Sequence, residues 1–438
     1  MYISDIALDD YRSFHHCVVH LSPGVNILVG PNGQGKTNFV EAIGYLTNFH
    51  SHRASADSAL VRFAPQSAAL AAREESASAR FETEGEQADS SSASTAPGAA
   101  VIRVKAHSQD HEMQVDLEIA SGRANRARLA RSPVPLKQVR GLIATTLFAP
   151  EDLDILQGDP AARRRFLDDL LVQLWPVEAG TITQHQKILR QRGALLKQAA
   201  KKKRRGADLS LELSTLDVWN NQLAQVGARL IAGRVRALQA LTPHAAQAYL
   251  LVLGEEHLAN SSQTLGLSYV PSFAAPADLA DPQAVAVALQ ETFAARREEE
   301  LIRGVNLAGA HRDDLAVTLD ALPVKGFASH GETWSAALAL RLGQFELLRQ
   351  VGETPILILD DVFAELDPSR RSALLEFMNR ADQVLITATS RKDLPAEIEG
   401  HFFEVLRAAQ GTAITPMTVS SEISAENSSE EAGRMSDD

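Results

Sequence analysis

Strand-type and helical patterns divide this chain into three blocks. Met1 to Leu8 and Phe14 to Leu21 alternate apolar and polar positions, which predicts an antiparallel hairpin. Val25 to Val29 (VNILV) is a short apolar run of strand type, and Asn38 to Leu46 (NFVEAIGYL) has helical spacing. A strand is expected near Ala68 to Ala72. Val101 to His107 and Met113 to Ile119 alternate again and predict a second antiparallel pair.

Near Pro150 the pattern changes. Pro160 is placed to start a helix that carries Arg163, Arg164 and Arg165 in its first turns. Between Thr181 and Arg205 the apolar positions Ile182, Leu189 and Leu196 recur every seventh residue. Leu216, Trp219, Leu223, Val226 and Leu230 then follow at alternating spacings of three and four, as an a/d seam requires. Together these predict two antiparallel helices, a short coiled-coil-like arm over 181–241 with its tip at Lys201 to Gly206. With about 30 residues per helix the arm would be about 45 Å long. Helical patterning continues to Arg303, with a Pro/Ala-rich break from Val270 to Pro282.

From Asn306 strands and helices alternate. Ile356 to Leu359 and Val384 to Thr387 are apolar strands suited to the buried centre of a parallel sheet. An α/β sheet therefore begins at the N-terminus, is interrupted by a helical insertion, and is completed near the C-terminus. The expected boundaries are 1–150 for the first half, 151–303 for the insertion and 304–415 for the second half.

The link between the first apolar strand and its helix is Gly30 to Thr37, GPNGQGKT, which fits the phosphate-binding pattern G-x-x-x-x-G-K-[ST] without a gap. Its plain reading is a glycine turn, but the strand before and the helix after are the context a phosphate loop needs. Gly30, Pro31, Asn32, Gly33, Gln34, Gly35, Lys36 and Thr37 are thus candidate nucleotide contacts. Backbone N–H groups and the helix N-terminus would face phosphate oxygens. Lys36 would reach the β- and γ-phosphates and Thr37 would bind Mg²⁺.

Asp360 and Asp361 close the apolar strand ILIL, as in a Walker B motif. Asp360 is read as a metal carboxylate and Asp361 as the catalytic acid that orients or deprotonates water, with a helix N-cap as its structural alternative. A turn through Ala364-Glu365-Leu366 would bring Asp367 back to the nucleotide edge. Ser329 and Glu332 have the spacing of a capping box before an alanine-rich helix, Thr333 to Arg349. A helix N-terminus so capped suits a γ-phosphate.

The chain has 438 residues, 45% of them hydrophobic, which gives room for two or three domains. Cys17 is the single cysteine, so no intrachain disulfide can form and a reducing compartment is expected. It lies in an apolar run and reads as a small core residue. No apolar stretch approaches membrane-spanning length, and the N-terminus lacks the basic-then-apolar layout of a signal peptide. The reading is a cytoplasmic protein with no membrane partner.

The formal net charge of -12 runs against a DNA binder, but it is unevenly spread. Residues 71–97 carry six acidic and two basic residues, and the tail 418–438 carries six acidic and one basic. Both are Ser/Ala/Glu-rich and read as disordered additions. Lys201, Lys202, Lys203, Arg204 and Arg205, at the arm tip, form either a solvated charge run or a contact to DNA phosphates. Arg123, Arg126, Arg128 and Arg131 are open to the same two readings.

Several stretches, taken in order over residues 1 to about 390, carry a family resemblance. GPNGQGKTN with the following EAI, Ser51-His52-Arg53, APEDL with GDPAARRRFLD, GAHRDDL (Gly309 to Leu315), SHGE and LDDVFAELD resemble the ABC-type ATPase heads of the SMC group, and within it the bacterial RecF family. The implied fold is an α/β ABC-type ATPase head, lobe I, with a helical lobe II insertion bearing the short antiparallel coiled-coil-like arm. The resemblance implies ATP and Mg²⁺ as cofactors and an ATP-dependent homodimer. In that dimer Ser329 and Gly331 of one subunit would close on the other's γ-phosphate. It further implies slow hydrolysis and binding of double-stranded and gapped DNA. Recombinational repair and replication restart with RecR and RecO, placing RecA at single-strand gaps, complete the expectation.

Two alternatives are the ATPase subunit of a membrane transporter and a structural SMC-like tether. The first lacks a switch histidine after Ile386-Thr387, where Thr389 and Ser390 stand, and the second needs arms of hundreds of residues. Two positions depart from the pattern. Asp361 stands where SMC heads usually carry glutamate, and its shorter reach fits slow turnover. Ala310 stands where family members commonly carry proline.

Overall fold

A computed structural model describes residues 1–54, 56–62, 98–108, 111–254, 263–352, 354–408 and 410–417. The strand expected at 68–72, the segment 71–97 and the acidic tail 418–438 lie outside the described residues. In chain order the first elements are β1 (Tyr2–Tyr11), β2 (Phe14–His20), β3 (Gly24–Val29), α1 (Lys36–Asn48), β4 (Ala99–Ser108), β5 (His111–Ala120), β6 (Arg126–Leu129), β7 (Ser132–Val134) and β8 (Thr145–Phe148). Then come α2 (Leu153–Gln157), α3 (Pro160–Leu174), α4 (Glu178–Arg204), α5 (Ser210–Leu253), β9 (Leu265–Val270), α6 (Pro282–Ala295) and α7 (Arg297–Arg303). The chain continues through β10 (Asp314–Leu319), β11 (Leu322–Pro323), α8 (His330–Val351), β12 (Ile356–Asp360), α9 (Pro368–Met378), β13 (Gln383–Ala388), β14 (His401–Ala408) and β15 (Gly411–Pro416).

Contacts divide these elements into two units. The first holds Met1–Thr145, Ile358–Ala364 and the described residues from Asp382 on; the second holds Thr146–Leu357 and Glu365–Ala381. The expected boundary after 303 is therefore corrected: residues 304–357 pack with the helical insertion. The physical cause is that β10 pairs antiparallel with β9, and α8 lies along α5.

The first unit carries a sheet in the order β2-β1-β4-β5-β6-β7. Its pairings are antiparallel, and the two expected hairpins are both present, with Asp5 opposite His20 and Val104 opposite Val115. One face is buried through Ile3, Ile6 and Leu8 on β1 and Val115, Leu117 and Ile119 on β5, as strand alternation requires. A second sheet has the order β15-β14-β3-β13-β12-β8, and the division between units cuts β8 after Thr145 and β12 before Ile358. β3 lies between two parallel neighbours, β13 and β14. Residues of β12 and β13 are buried throughout, the signature of a strand covered on both faces. Gln383 ties the two sheets: it accepts the Ile3 N–H at 2.9 Å and donates to the Ile3 carbonyl at 2.8 Å. Cys17 is buried, and burial pushes its thiol up to about 11.

The second unit is mainly helical. α4 and α5 form the expected antiparallel hairpin, but unequally: 27 and 44 residues, or about 40 and 66 Å. The longer helix runs on from the arm to pack against α6, α8 and α3. Leu216, Leu223, Val226 and Leu230 are buried as expected, and Trp219 partly so. On α4 the seam is corrected. The buried positions are His185, Ile188, Arg192, Leu196, Ala199 and Ala200, while Ile182 and Leu189 are only partly buried. A polar seam is tolerated because Arg192 donates to both carboxylate oxygens of Glu300, to Asn220 and to Asn306, and stacks over Phe293. Just before the Pro/Ala-rich break, where helical patterning is expected, Leu265–Val270 instead forms β9, which joins β10 and β11 in a three-stranded sheet. No helix among the described residues is long and apolar enough to cross a membrane.

Candidate nucleotide-binding site

The phosphate loop leaves β3 at Gly30 and enters α1 at Lys36. Its glycines answer to close contacts. A Cβ on Gly30 would overlap the Val405 carbonyl oxygen, and one on Gly35 would sit 2.8 Å from the Ser13 and Thr412 hydroxyls. Gly33 and Gly35 also have φ of 81° and 113°, which side-chain-bearing residues avoid. The loop is held from outside by Gln34, whose side chain accepts the Arg407 N–H at 2.7 Å and whose carbonyl accepts the Thr412 hydroxyl at 2.8 Å. Asn32 accepts the Thr389 hydroxyl at 3.1 Å. Lys36 is buried, and its Nζ donates to the carbonyls of Gly30 and Pro31 at 2.6 and 3.2 Å, so the ammonium is held inside the loop.

Behind α1 lies a brace that sequence reasoning left without a role. Glu41, fully buried, accepts two hydrogen bonds from Arg12 at 2.6 and 2.9 Å and one from Ser51 Oγ. Ser51 in turn accepts the N–H groups of Arg53 and Ala54, and Arg53 reaches Asn38 at 3.3 Å. The Ser51-His52-Arg53 stretch thus anchors the helix that presents Lys36 and Thr37.

The strand-end carboxylates arrive within the same unit. Thr37 donates to Asp360 Oδ1 at 3.2 Å. Thr387, on β13, donates to the same oxygen at 2.5 Å and accepts the Asp361 N–H at 2.9 Å. Asp360 is buried at 2% exposure. Asp361 turns off the strand with φ of 51°. Burial raises its carboxyl above the usual range, with Asp393 pushing the same way and the Lys36 charge pulling it down. The cluster of hydroxyl and carboxylate oxygens is the hard donor set that Mg²⁺ takes. Thr387 was missed because one hydroxyl in an apolar strand has no pattern of its own.

Ser329, Gly331 and Asp367 belong to the second unit. The capping box at the start of α8 is formed: Ser329 Oγ accepts the Glu332 N–H at 3.3 Å, and Glu332 accepts the Ser329 N–H at 2.8 Å. Asp367 caps α9 by accepting the Arg370 N–H at 3.0 Å, and it pairs with the Arg370 guanidinium. That guanidinium lies 3.3 Å from where a Gly331 Cβ would be, so Arg370 joins the two helix starts.

The remaining motifs also knit this unit. Arg163, in the GDPAARRRFLD stretch, makes a two-pronged pair with Asp314 of HRDDL at 2.6 and 2.9 Å. Asp152 of APEDL caps the Ala149 N–H and pairs with Arg341. Acidic residues stand beside two of the five arm-tip cations. Lys202 pairs with Glu212 and Lys203 with Glu298. On the first sheet, Arg126 and Arg128 face Glu118 and Asp116 across the strands and Arg123 pairs with Glu118, which favours a solvated strand face.

Comparison with known proteins bears on this geometry. The family model "RecF/RecN/SMC N terminal domain" matches residues 2–412. The chain is 44% identical over 421 residues to a protein of Beutenbergia cavernae named "DNA replication and repair protein RecF", covering 93% of this chain and 98% of that one. A protein of the same name from Frankia alni is 44% identical over 418 residues, covering 93% and 100%. A solved structure, "Structure of the recombination mediator protein RecF-ATPrS in RecFOR pathway", has a TM-score of 0.76 at 25% identity, covering 95% of this chain and 98% of that one. The fold is thus the α/β ATPase head shared by RecF and SMC proteins. With a family model spanning nearly the whole chain, and near full-length relatives carrying one name, the chain belongs to the RecF family.

Proposed function

We propose that this chain is an ATP-switched DNA-binding protein of recombinational repair and replication restart. The observation that carries the reading is the meeting of Thr37 with Asp360: two parts of one pocket, 323 residues apart, share a hydrogen bond. The relatives' name, with its reference to DNA replication and repair, and the solved RecF-ATPrS structure of the RecFOR pathway support it.

In this reading Gly30 to Thr37 wrap the phosphates, and Lys36 exchanges its carbonyl contacts for β- and γ-phosphate oxygens. Thr37 and Asp360 would hold Mg²⁺, which when bound offsets the charge of the phosphates. Asp361, its carboxyl raised by burial, is the group beside the γ-phosphate able to accept a proton from water. The short side chain suits slow turnover. Ser329 and Gly331 present the capped N-terminus of α8 to the nucleotide of a second copy, so that ATP favours a homodimer by binding it better than the monomer. Double-stranded and gapped DNA are the polymer ligands, and RecR and RecO the partners that place RecA at gaps.

Duplex-DNA binding measured with and without ATP and Mg²⁺, for wild type and Lys36→Ala, tests the reading. ATP should tighten binding in wild type and leave Lys36→Ala unmoved. DNA affinity indifferent to ATP in both would overturn it.

A further inference from the structure

The tip cations are not equivalent, and their division points along the arm rather than at its end. Lys202 and Lys203 are held by Glu212 and Glu298. Lys201, Arg204 and Arg205 have no acidic partner among the described residues, and neither do Arg190 and Lys197 farther down α4. Arg190, Lys197, Lys201 and Arg204 are spaced seven, four and three residues apart, and all four are exposed. At about 100° per residue they fall within about 60° of one another on the helix. No acid occurs in α4 after Glu178.

The lower end of this face opens into a cavity of about 370 Å³ lined by Arg190, Lys197, Gly193, Gly304, Asn306 and Arg312 among others, none of them acidic. Arg312 donates to the Asn306 carbonyl at 3.1 and 3.2 Å, with no acid partner among the described residues. A Cβ on Gly193 would sit 3.2 Å from Asn306 Nδ2, and one on Gly304 would sit 3.3 Å from the Ala200 Cβ. The nearby acids are already engaged: Glu298 with Lys203 and Glu299 with Arg303.

Complementing the helix macrodipole would account for cations in the last turn of α4. That effect fades within one turn, so it leaves Arg190 and Lys197 unexplained. A carboxylate on a partner protein would need one cation or one fork. Arg190 and Lys197 instead stand about 10 Å apart along the helix axis. That is roughly three phosphate spacings of one strand, at about 3.4 Å each along a duplex.

We infer that the Arg190, Lys197, Lys201 and Arg204 face of α4, ending in the Arg312 cavity, is a track for the phosphodiester backbone of DNA. The inference rests on the DNA-binding reading above and assigns that binding to one face of the arm. Lys202 and Lys203 act as structural braces.

The test is the salt dependence of duplex-DNA binding by the full chain between about 50 and 200 mM salt. The quadruple variant Arg190→Gln/Lys197→Gln/Lys201→Gln/Arg204→Gln should flatten the slope of log K against log salt by about 3 to 4. Lys197→Gln alone should flatten it by about 1, and it guards against a fold defect in the quadruple variant. Lys202→Gln/Lys203→Gln should change it by less than about 1. A quadruple slope matching wild type, or equal loss per removed charge in the two multiple variants, would overturn the track while leaving DNA binding intact. Unchanged DNA binding with lost affinity for poly-glutamate would also overturn it, in favour of an acidic protein partner. Wild type that fails to bind duplex at all would instead remove the DNA-binding reading itself.

Discussion

Thr387 donates its hydroxyl proton to Asp360 at 2.5 Å while its oxygen accepts the Asp361 N–H, so one buried side chain holds the Asp360 carboxylate and the Asp361 backbone together. Thr387→Val keeps the shape and removes both bonds. It should lower stability by about 1–3 kcal/mol, through the Asp361 N–H left unpaired. It should also raise the Mg²⁺ concentration needed for ATP binding, because Asp360 loses one of the hydroxyl donors that orient it. Thr387→Ser should restore most of both. Denaturant unfolding and a Mg²⁺ titration of ATP binding read the two effects separately.

Arg192 and Glu300 form an ion pair with each side chain at most 1% exposed. Breaking a pair of that kind leaves a buried charge alone, which costs about 3–5 kcal/mol. Arg192→Met should therefore lower the stability of the second unit by that order. Asn220, Asn306 and the Leu307 N–H share the network, so Arg192→Met/Glu300→Leu should recover only a part. A double-mutant cycle in urea checks it: the double loss should be smaller than the sum of the single losses.

His185 and His311 lie with ring centroids 6.3 Å apart, and His185 Nε2 and His311 Nδ1 are buried without a hydrogen-bond partner among the described residues. Burial, first of all, lowers their values to about 4 and about 3, with Arg234 acting on His185 and His185 on His311. Below about pH 6.5 the unfolded chain takes up protons that the folded chain refuses. Each histidine should thus reduce stability by roughly 1.4 kcal/mol per pH unit as the pH falls from about 6.5 toward 4. Stability measured at pH 7, 6 and 5 should fall less steeply in His185→Gln than in wild type.

The Ser329 and Glu332 capping box makes a prediction with two readouts. Ser329→Ala should cost about 1 kcal/mol from the lost cap. Ser329→Asp keeps a capping acceptor but sets a negative charge at the helix start. It should retain stability and still lose ATP-dependent dimerisation, which separates the structural role from the nucleotide-facing one.

Legibility from sequence followed where the apolar residues lie. The alternation at Val101 to His107 and Met113 to Ile119 is readable because one face of that pair is buried and the other is half-buried and polar. The α5 seam was readable because leucine and valine fill it. The α4 seam was misphased because His185 and Arg192 occupy it, and a buried arginine satisfied by Glu300 and Asn220 carries no apolar signal. β9 was hidden because six residues beside a Pro/Ala-rich stretch become a strand only by pairing with β10, about 45 residues on. That pairing also moved the boundary after Arg303. In the candidate site, the phosphate loop and Asp360 were legible as local motifs. Glu41 and Thr387 were not, since their roles arise from partners brought in by folding.

The central claim is that Gly30 to Thr37 and the Asp360-Asp361 strand end form one ATP pocket whose filling joins two copies of the chain. Sedimentation velocity of wild type and Lys36→Ala, each with and without ATP and Mg²⁺, measures this directly. The account predicts a shift from monomer to dimer on adding ATP to wild type and no shift in Lys36→Ala. The same ATP-driven dimer in Lys36→Ala, or a wild-type chain whose assembly ignores ATP, would contradict it.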